Sequence, residues 1–119
     1  MKKNNFTIVS KTWGYEKVYY NENYCYKDLH LNANSKTSLH RHINKKETFV
    51  PKDNGLKLEY VDSLNELSYI INLEADISYT LEPMTWHRVH NDTNAQLILR
   101  EISTHHEDSD VERINKYEQ

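Results

Sequence analysis

Apolar and polar residues alternate with a period of two along most of this chain, the pattern of strands with one face buried. Cys25, Lys27, Leu29 and Leu31 share one face, with Tyr26, Asp28, His30 and Asn32 on the other. Leu56, Leu58 and Tyr60 alternate with Lys57 and Glu59, and Leu67, Tyr69, Ile71 and Leu73 repeat the pattern, as do Ile77, Tyr79 and Leu81. Further β-prone runs cover residues 6–10, 16–20, 36–42, 47–50 and 87–91. Residues 95–103 are apolar enough on both faces to bury, so this strand is expected deepest in the molecule. Pro51 ends one run, because proline offers no ladder N–H, and Asn54-Gly55 is the strongest hairpin signal. Ser109 and the acidic residues after it predict a single short helix over 111–118. Nine or ten short strands between polar turns predict an all-β chain, an antiparallel double-sheet jelly-roll barrel with a short C-terminal helix. A plain β-sandwich is the alternative.

Composition narrows the picture. With 119 residues the chain is expected to form one domain, residues 1–119, around one core. The formal charge of −3, with dispersed Lys and Arg, gives no basic stripe and argues against nucleic acid as a partner. The lone Cys25 cannot form an internal disulfide, and no apolar run is long enough to span a bilayer. The polar start Met1-Lys2-Lys3-Asn4-Asn5 lacks the apolar stretch of a signal peptide, so a cytoplasmic location is expected. Tyr15, Tyr19, Tyr20, Tyr24 and Tyr26 crowd the N-terminal strands, which predicts a homodimer that covers them.

The candidate chemistry lies in two stretches. In an extended 36–42, His40 and His42 project from one face, about 7 Å apart along the chain, and can share an ion. Glu47 returns beside them after the polar break Asn44-Lys45-Lys46, and His87 completes a set of three nitrogens and one oxygen. Such a set accepts one divalent transition metal, Mn, Fe, Zn, Ni or Co, without choosing among them. His30, His90, His105 and His106 are expected at the surface.

The spacing His-x-His-x4-Glu, followed by Pro83-x3-His87-x3-Asn91, resembles the two motifs of the cupin superfamily, with all four ligand positions filled. Trp13-Gly14-Tyr15-Glu16 and the stretch 102–113 are similar to flanks of its sugar-phosphate-isomerase branch, including the C-terminal domain of type II phosphomannose isomerases. The chain departs from the pattern where glycines are usual: Asn34 and Met84 stand there, and a later glycine is displaced to Gly55. Asn tolerates positive φ, whereas Met does not readily adopt it.

The resemblance implies a metal-dependent sugar or sugar-phosphate isomerase or epimerase, mannose-6-phosphate isomerase-like. Lys45, in a His-x-His-x2-Lys-x-Glu arrangement similar to that of cupin-type sugar isomerases, is the candidate acid/base, with Glu101 near the metal end. Lys27, Tyr60 and Tyr79 are the candidate substrate-binding side chains of the pocket wall. A non-catalytic cupin that binds a carbohydrate or other small ligand, and an iron dioxygenase, are the alternatives. With no transferase domain, the chain is not expected to make a nucleotide sugar.

Overall fold

A computed structural model describes residues 1–114 of the chain, which form twelve strands and one 3-10 turn. The first sheet has the order β1 (Thr7–Lys11), β2 (Gly14–Asn21), β3 (Tyr24–Leu31), β11 (Leu97–Thr104), β6 (Glu47–Pro51) and β9 (Tyr79–Leu81). The second runs β12 (Val111–Arg113), β5 (His40–His42), β10 (His87–Asn91), β7 (Leu56–Val61) and β8 (Ser68–Asn72), with β4 (Ser35–Lys36) also paired to β10. Every pairing is antiparallel. The all-β double-sheet architecture is therefore the expected one, although among the described residues no ladder joins the sheets into a closed barrel.

The period of two dictates what lies between the sheets. Cys25, Lys27, Leu29 and Leu31 of β3 all point inward and are 1%, 3%, 5% and 0% exposed. Leu29, Leu31 and Leu99 meet Phe49, Leu56, Leu58, Leu81 and Val89 in the core, with Trp13 and Leu73 at its edges. Each fully buried side chain of this size contributes about 1.5–3 kcal/mol. The strand β11 occupies the interior of its sheet, between β3 and β6, but only one of its two apolar faces is covered: Leu99, Glu101 and Ser103 are buried, whereas Ile102 on the outer face is 45% exposed.

The turns that carry the sequence departures keep the backbone a glycine would have. Asn34 has φ 53° and Met84 φ 70°, and the Met84 N–H donates to the His42 carbonyl at 2.6 Å. The left-handed conformation costs a non-glycine residue roughly 1–2 kcal/mol, and at Met84 it is held by this bond to the backbone of β5. Gly14 is irreplaceable for a steric reason: a Cβ there would collide with the His30 carbonyl oxygen. Asn91, fully buried, donates to the carbonyls of Leu31, Asn32 and Ala95, so it organises a turn.

Two expectations are corrected. The run 36–42 is broken, with only Ser35–Lys36 and His40–His42 in ladders. The C-terminal helix is also absent where it should begin: Asp108–Asp110 is a 3-10 turn and Val111–Arg113 is a strand on β5. The rest of the predicted helix lies outside the described residues. The acidic signal read as a helix cap does a different job. Asp110 accepts hydrogen bonds from the N–H groups of Asn44 and Lys45 at 2.9 and 3.0 Å, and so ties down the β5–β6 hairpin.

Candidate metal centre and cavity

Both sheets contribute to the cluster of His40, His42, Glu47 and His87. His40 and His42 stand on β5, and His87 lies directly opposite His40 across the β10–β5 pairing. Glu47 is the first residue of β6 in the facing sheet. One ligand atom from each of the four lies within 4.8 Å of the others. His40 Nδ1 sits 2.8 Å from the Ser38 carbonyl and His87 Nδ1 2.8 Å from the Thr85 carbonyl. A carbonyl only accepts, so both Nδ1 atoms carry a proton, and Nε2 is the atom that each ring can offer to an ion. Metal-ligating histidines are oriented in this way.

The surroundings fit an ion. Glu47 Oε1, His87 Nε2 and His42 Nδ1 are buried without a hydrogen-bond partner, although Glu47 Oε1 and His87 Nε2 are only 2.7 Å apart. A proton on His87 Nε2 satisfies the pair in the metal-free protein, and a shared cation in its place would satisfy both atoms as well. Burial, and then the neighbouring His87, lowers the His40 pKa to about 3. Burial followed by the Lys45 charge lowers that of His42 to about 2. Both rings are therefore neutral, the form that binds metal. Burial also opposes protonation of His87, but the adjacent Glu47 carboxylate more than reverses it and raises the pKa.

Beside the cluster runs a row of buried charges. Lys45 Nζ donates to Glu101 Oε2 at 3.0 Å and lies 3.4 Å from Glu47 Oε2. Lys27 Nζ donates to Glu16 at 3.1 Å and lies 3.7 Å from Glu101. Burial opposes both ammonium ions, but the carboxylates win and raise both lysine pKa values, Glu101 acting first in each case. Glu101 shows the reverse: burial would raise its pKa, but Lys27 and Lys45 hold it well below the usual carboxylate range. Lys45 Nζ is also 3.1 Å from His106 Nδ1, and His106 Nε2 is 3.1 Å from Asp108 at the surface.

A cavity of about 620 Å³ opens onto His40, His42 and His87, with Lys27, Lys45 and Glu101 along the same wall. Its back is apolar, formed by Trp13, Leu29, Phe49 and Val89. The structure thus brings Lys27, Lys45 and Glu101 together with the histidines. It does not bring Tyr60 or Tyr79, both expected at the pocket wall. Tyr60 stacks on Tyr69 at 5.6 Å, and the Tyr79 hydroxyl accepts the Glu74 N–H at 2.9 Å while its ring packs on the core. Both face inward as the alternation required, but beyond the cavity.

His106, expected at the surface, lines the cavity, whereas His105 is exposed beside Glu107. Adjacent residues point apart, so one of the pair had to turn inward, and no sequence signal chose which. Glu16, in the flank Trp13-Gly14-Tyr15-Glu16, carries no local sign of a site role. It is a site residue because β2 pairs Glu16 with Leu29, next but one to Lys27.

No family model and no curated protein matches the sequence. Among solved structures the chain is similar to the capsular polysaccharide assembling protein CapF from Staphylococcus aureus, with 9% identity and a TM-score of 0.81 over 94% of this chain and 32% of that one. It is also similar to oxalate decarboxylase from Bacillus subtilis, with 13% identity and a TM-score of 0.78 over 92% of this chain and 30% of that one. A recombinant oxalate oxidase in complex with glycolate shares 12% identity and a TM-score of 0.63, over 70% of this chain and 42% of that one. The chain spans about a third of the length of the first two. At these identities the likeness is one of fold. Among the described residues, no helix is long and apolar enough to cross a membrane.

Proposed function

We propose that this chain, which has the cupin fold and a metal-binding group of three histidines and one glutamate, is a metal-dependent isomerase or epimerase of a sugar or sugar phosphate. The observation that supports this reading is the Lys45–Glu101 pair, held against the ligand cluster inside one cavity. His40, His42, Glu47 and His87 would hold one divalent transition ion, which supplies polarisation of a carbonyl and its neighbouring hydroxyl. The chain's own groups do the rest. Lys45 stands protonated between Glu101 and Glu47, placed to give a proton to a substrate oxygen, and Glu101 is the adjacent ionised acceptor. The apolar back of the cavity, Trp13, Leu29, Phe49 and Val89, offers a surface for the carbon skeleton of the ligand.

A second reading, a cupin that binds a carbohydrate without turnover, is favoured by the same lysine. Its pKa is raised, away from the value near neutrality that suits an acid/base. A homodimer in the cytoplasm belongs to either reading. The N-terminal rings partly cover one another, since Tyr19 stacks on Tyr26 and Tyr20 on Tyr24, but Phe6, Ile8, Tyr24 and Ile102 are about half exposed. Light scattering that finds a monomer at micromolar concentration would remove the dimer.

The deciding experiment is metal analysis of protein purified without added metal, followed by an isomerase panel on free and phosphorylated hexoses and pentoses. Lys45→Ala is expected to lower kcat by about a hundredfold or more if the lysine moves the proton, and mainly to raise KM if it only binds. Activity that survives EDTA would overturn the metal-dependent mechanism.

A further inference from the structure

One histidine of the cavity, His106, has its bonds arranged the opposite way from the ligand histidines. Its ring stands beside His42, with centroids 6.1 Å apart, yet its inward nitrogen meets a lysine: Nδ1 is 3.1 Å from Lys45 Nζ. An ammonium ion only donates, so Nδ1 accepts, and the ring proton sits on Nε2, which donates to Asp108 at 3.1 Å. His40 and His87 carry theirs on Nδ1, towards backbone carbonyls. The backbone of His106 is held as firmly as its ring. The Asn21 side chain, at the end of β2, accepts the His106 N–H at 2.9 Å and donates to the His106 carbonyl at 3.0 Å.

We infer that His106 is a positioning residue for Lys45, mounted on Asn21 and Asp108 so that its Nδ1 fixes the ammonium at the histidine end of the cavity, and that it is not a metal ligand. Lysine carries its charge on a flexible four-carbon stem, and two carboxylates compete for this one, Glu101 Oε2 at 3.0 Å and Glu47 Oε2 at 3.4 Å. An acceptor on a third side sets where between them the ammonium rests. A neutral ring supplies that acceptor without adding a charge to a wall that already holds Glu16, Glu47 and Glu101. Asp108, exposed to solvent, turns the ring and leaves the buried charges undisturbed. A ligand oxygen then meets a donor that is already in place. Both readings of the function use Lys45, so the inference depends on neither in particular, and its failure would leave both standing.

The test is proton–nitrogen correlation spectroscopy of the lysine ammonium groups in isotope-labelled protein, with and without added zinc. His106→Ala should speed exchange of the Lys45 ammonium protons with water by at least about tenfold, the loss expected when a hydrogen bond to a charged group goes. Lys27, whose partners are Glu16 and Glu101, should keep its rate. His106→Asn, whose amide oxygen can take the place of Nδ1, should return the Lys45 rate to within about threefold of wild type. Asn21→Ala, which removes the mount without touching Lys45, should give an intermediate rate. Zinc affinity of His106→Ala should stay within about threefold of wild type by calorimetry. An unchanged Lys45 rate in His106→Ala would overturn the inference, and so would equal acceleration of Lys27 and Lys45, which would make His106 merely structural. A His106→Asn variant that behaves like His106→Ala would overturn it too. A loss of zinc affinity of about tenfold or more in His106→Ala would place the residue among the ligands instead. If His106→Ala does not fold, Asn21→Ala decides alone, by whether Lys45 accelerates while Lys27 does not.

Discussion

Replacing Glu101 by glutamine keeps the shape of the side chain and removes its charge. Glu101 is 4% exposed and stands between two ammonium groups that are as deeply buried, Lys45 at 3.0 Å and Lys27 at 3.7 Å. Removing one partner of a buried pair costs about 3–5 kcal/mol when the other is left alone. Neither lysine is left alone here, because Lys27 keeps Glu16 at 3.1 Å and Lys45 keeps Glu47 at 3.4 Å. The expected loss is therefore nearer about 2–3 kcal/mol. A globular chain of 119 residues unfolds with about 0.25 kcal/mol/K of entropy near its midpoint, so Tm should fall by about 8–12 °C. The loss should depend on pH with a definite sign. Because the folded carboxyl has a depressed pKa, its contribution is complete above the unfolded value of about 4.3 and fades as pH falls towards the folded value. The gap between wild type and Glu101→Gln should accordingly narrow in acid. Thermal and urea unfolding across pH 3–7 measure both effects. A variant that melts within about 2 °C of wild type at neutral pH would show that Lys27, Glu101 and Lys45 do not form a coupled network.

Three further outcomes are expected. His87→Ala should weaken zinc or manganese binding far more than His105→Ala, since His87 faces Glu47 at 2.7 Å and His105 pairs with exposed Glu107; equal losses by calorimetry would mean the ligand set is wrong. The metal-free protein should lose stability as pH falls below about 6.5, because His40 and His42 have folded pKa values of about 3 and about 2, so the unfolded chain binds protons first. Each contributes about 1.4 kcal/mol per pH unit, and His87, with its raised pKa, opposes them in part; urea midpoints that stay flat between pH 7 and 5 would contradict this. Asp110→Ala should cost about 1–3 kcal/mol by freeing the N–H groups of Asn44 and Lys45, and should weaken metal binding through the loosened hairpin; a drop in stability with metal affinity intact would confine Asp110 to the fold.

The alternation of side chains by itself determined the double-sheet architecture and which face of each strand is buried, because a period of two leaves one inward set per strand. It also put His40 and His42 on one face, whereas Glu47 reaches them from the facing sheet and His87 from β10, which the pairing of strands decided. What it could not determine was which strands become neighbours. Pairing of β3 with both β2 and β11 set Lys27, Glu16 and Glu101 side by side from distant parts of the chain, and nothing local to any of the three records it. The same holds for the C-terminal stretch. Residues 109–113 carry an honest helix-start signal, yet β5 offered an unpaired edge, and backbone groups on a sheet edge gain more from a partner strand than a single isolated turn of helix gains from its caps. Tyr60 and Tyr79 mark the limit of the period most plainly, because it states that a ring points inward and not how far along the strand the cavity extends. His106 was settled only in three dimensions, where Lys45 and Asp108 stand on either side of it.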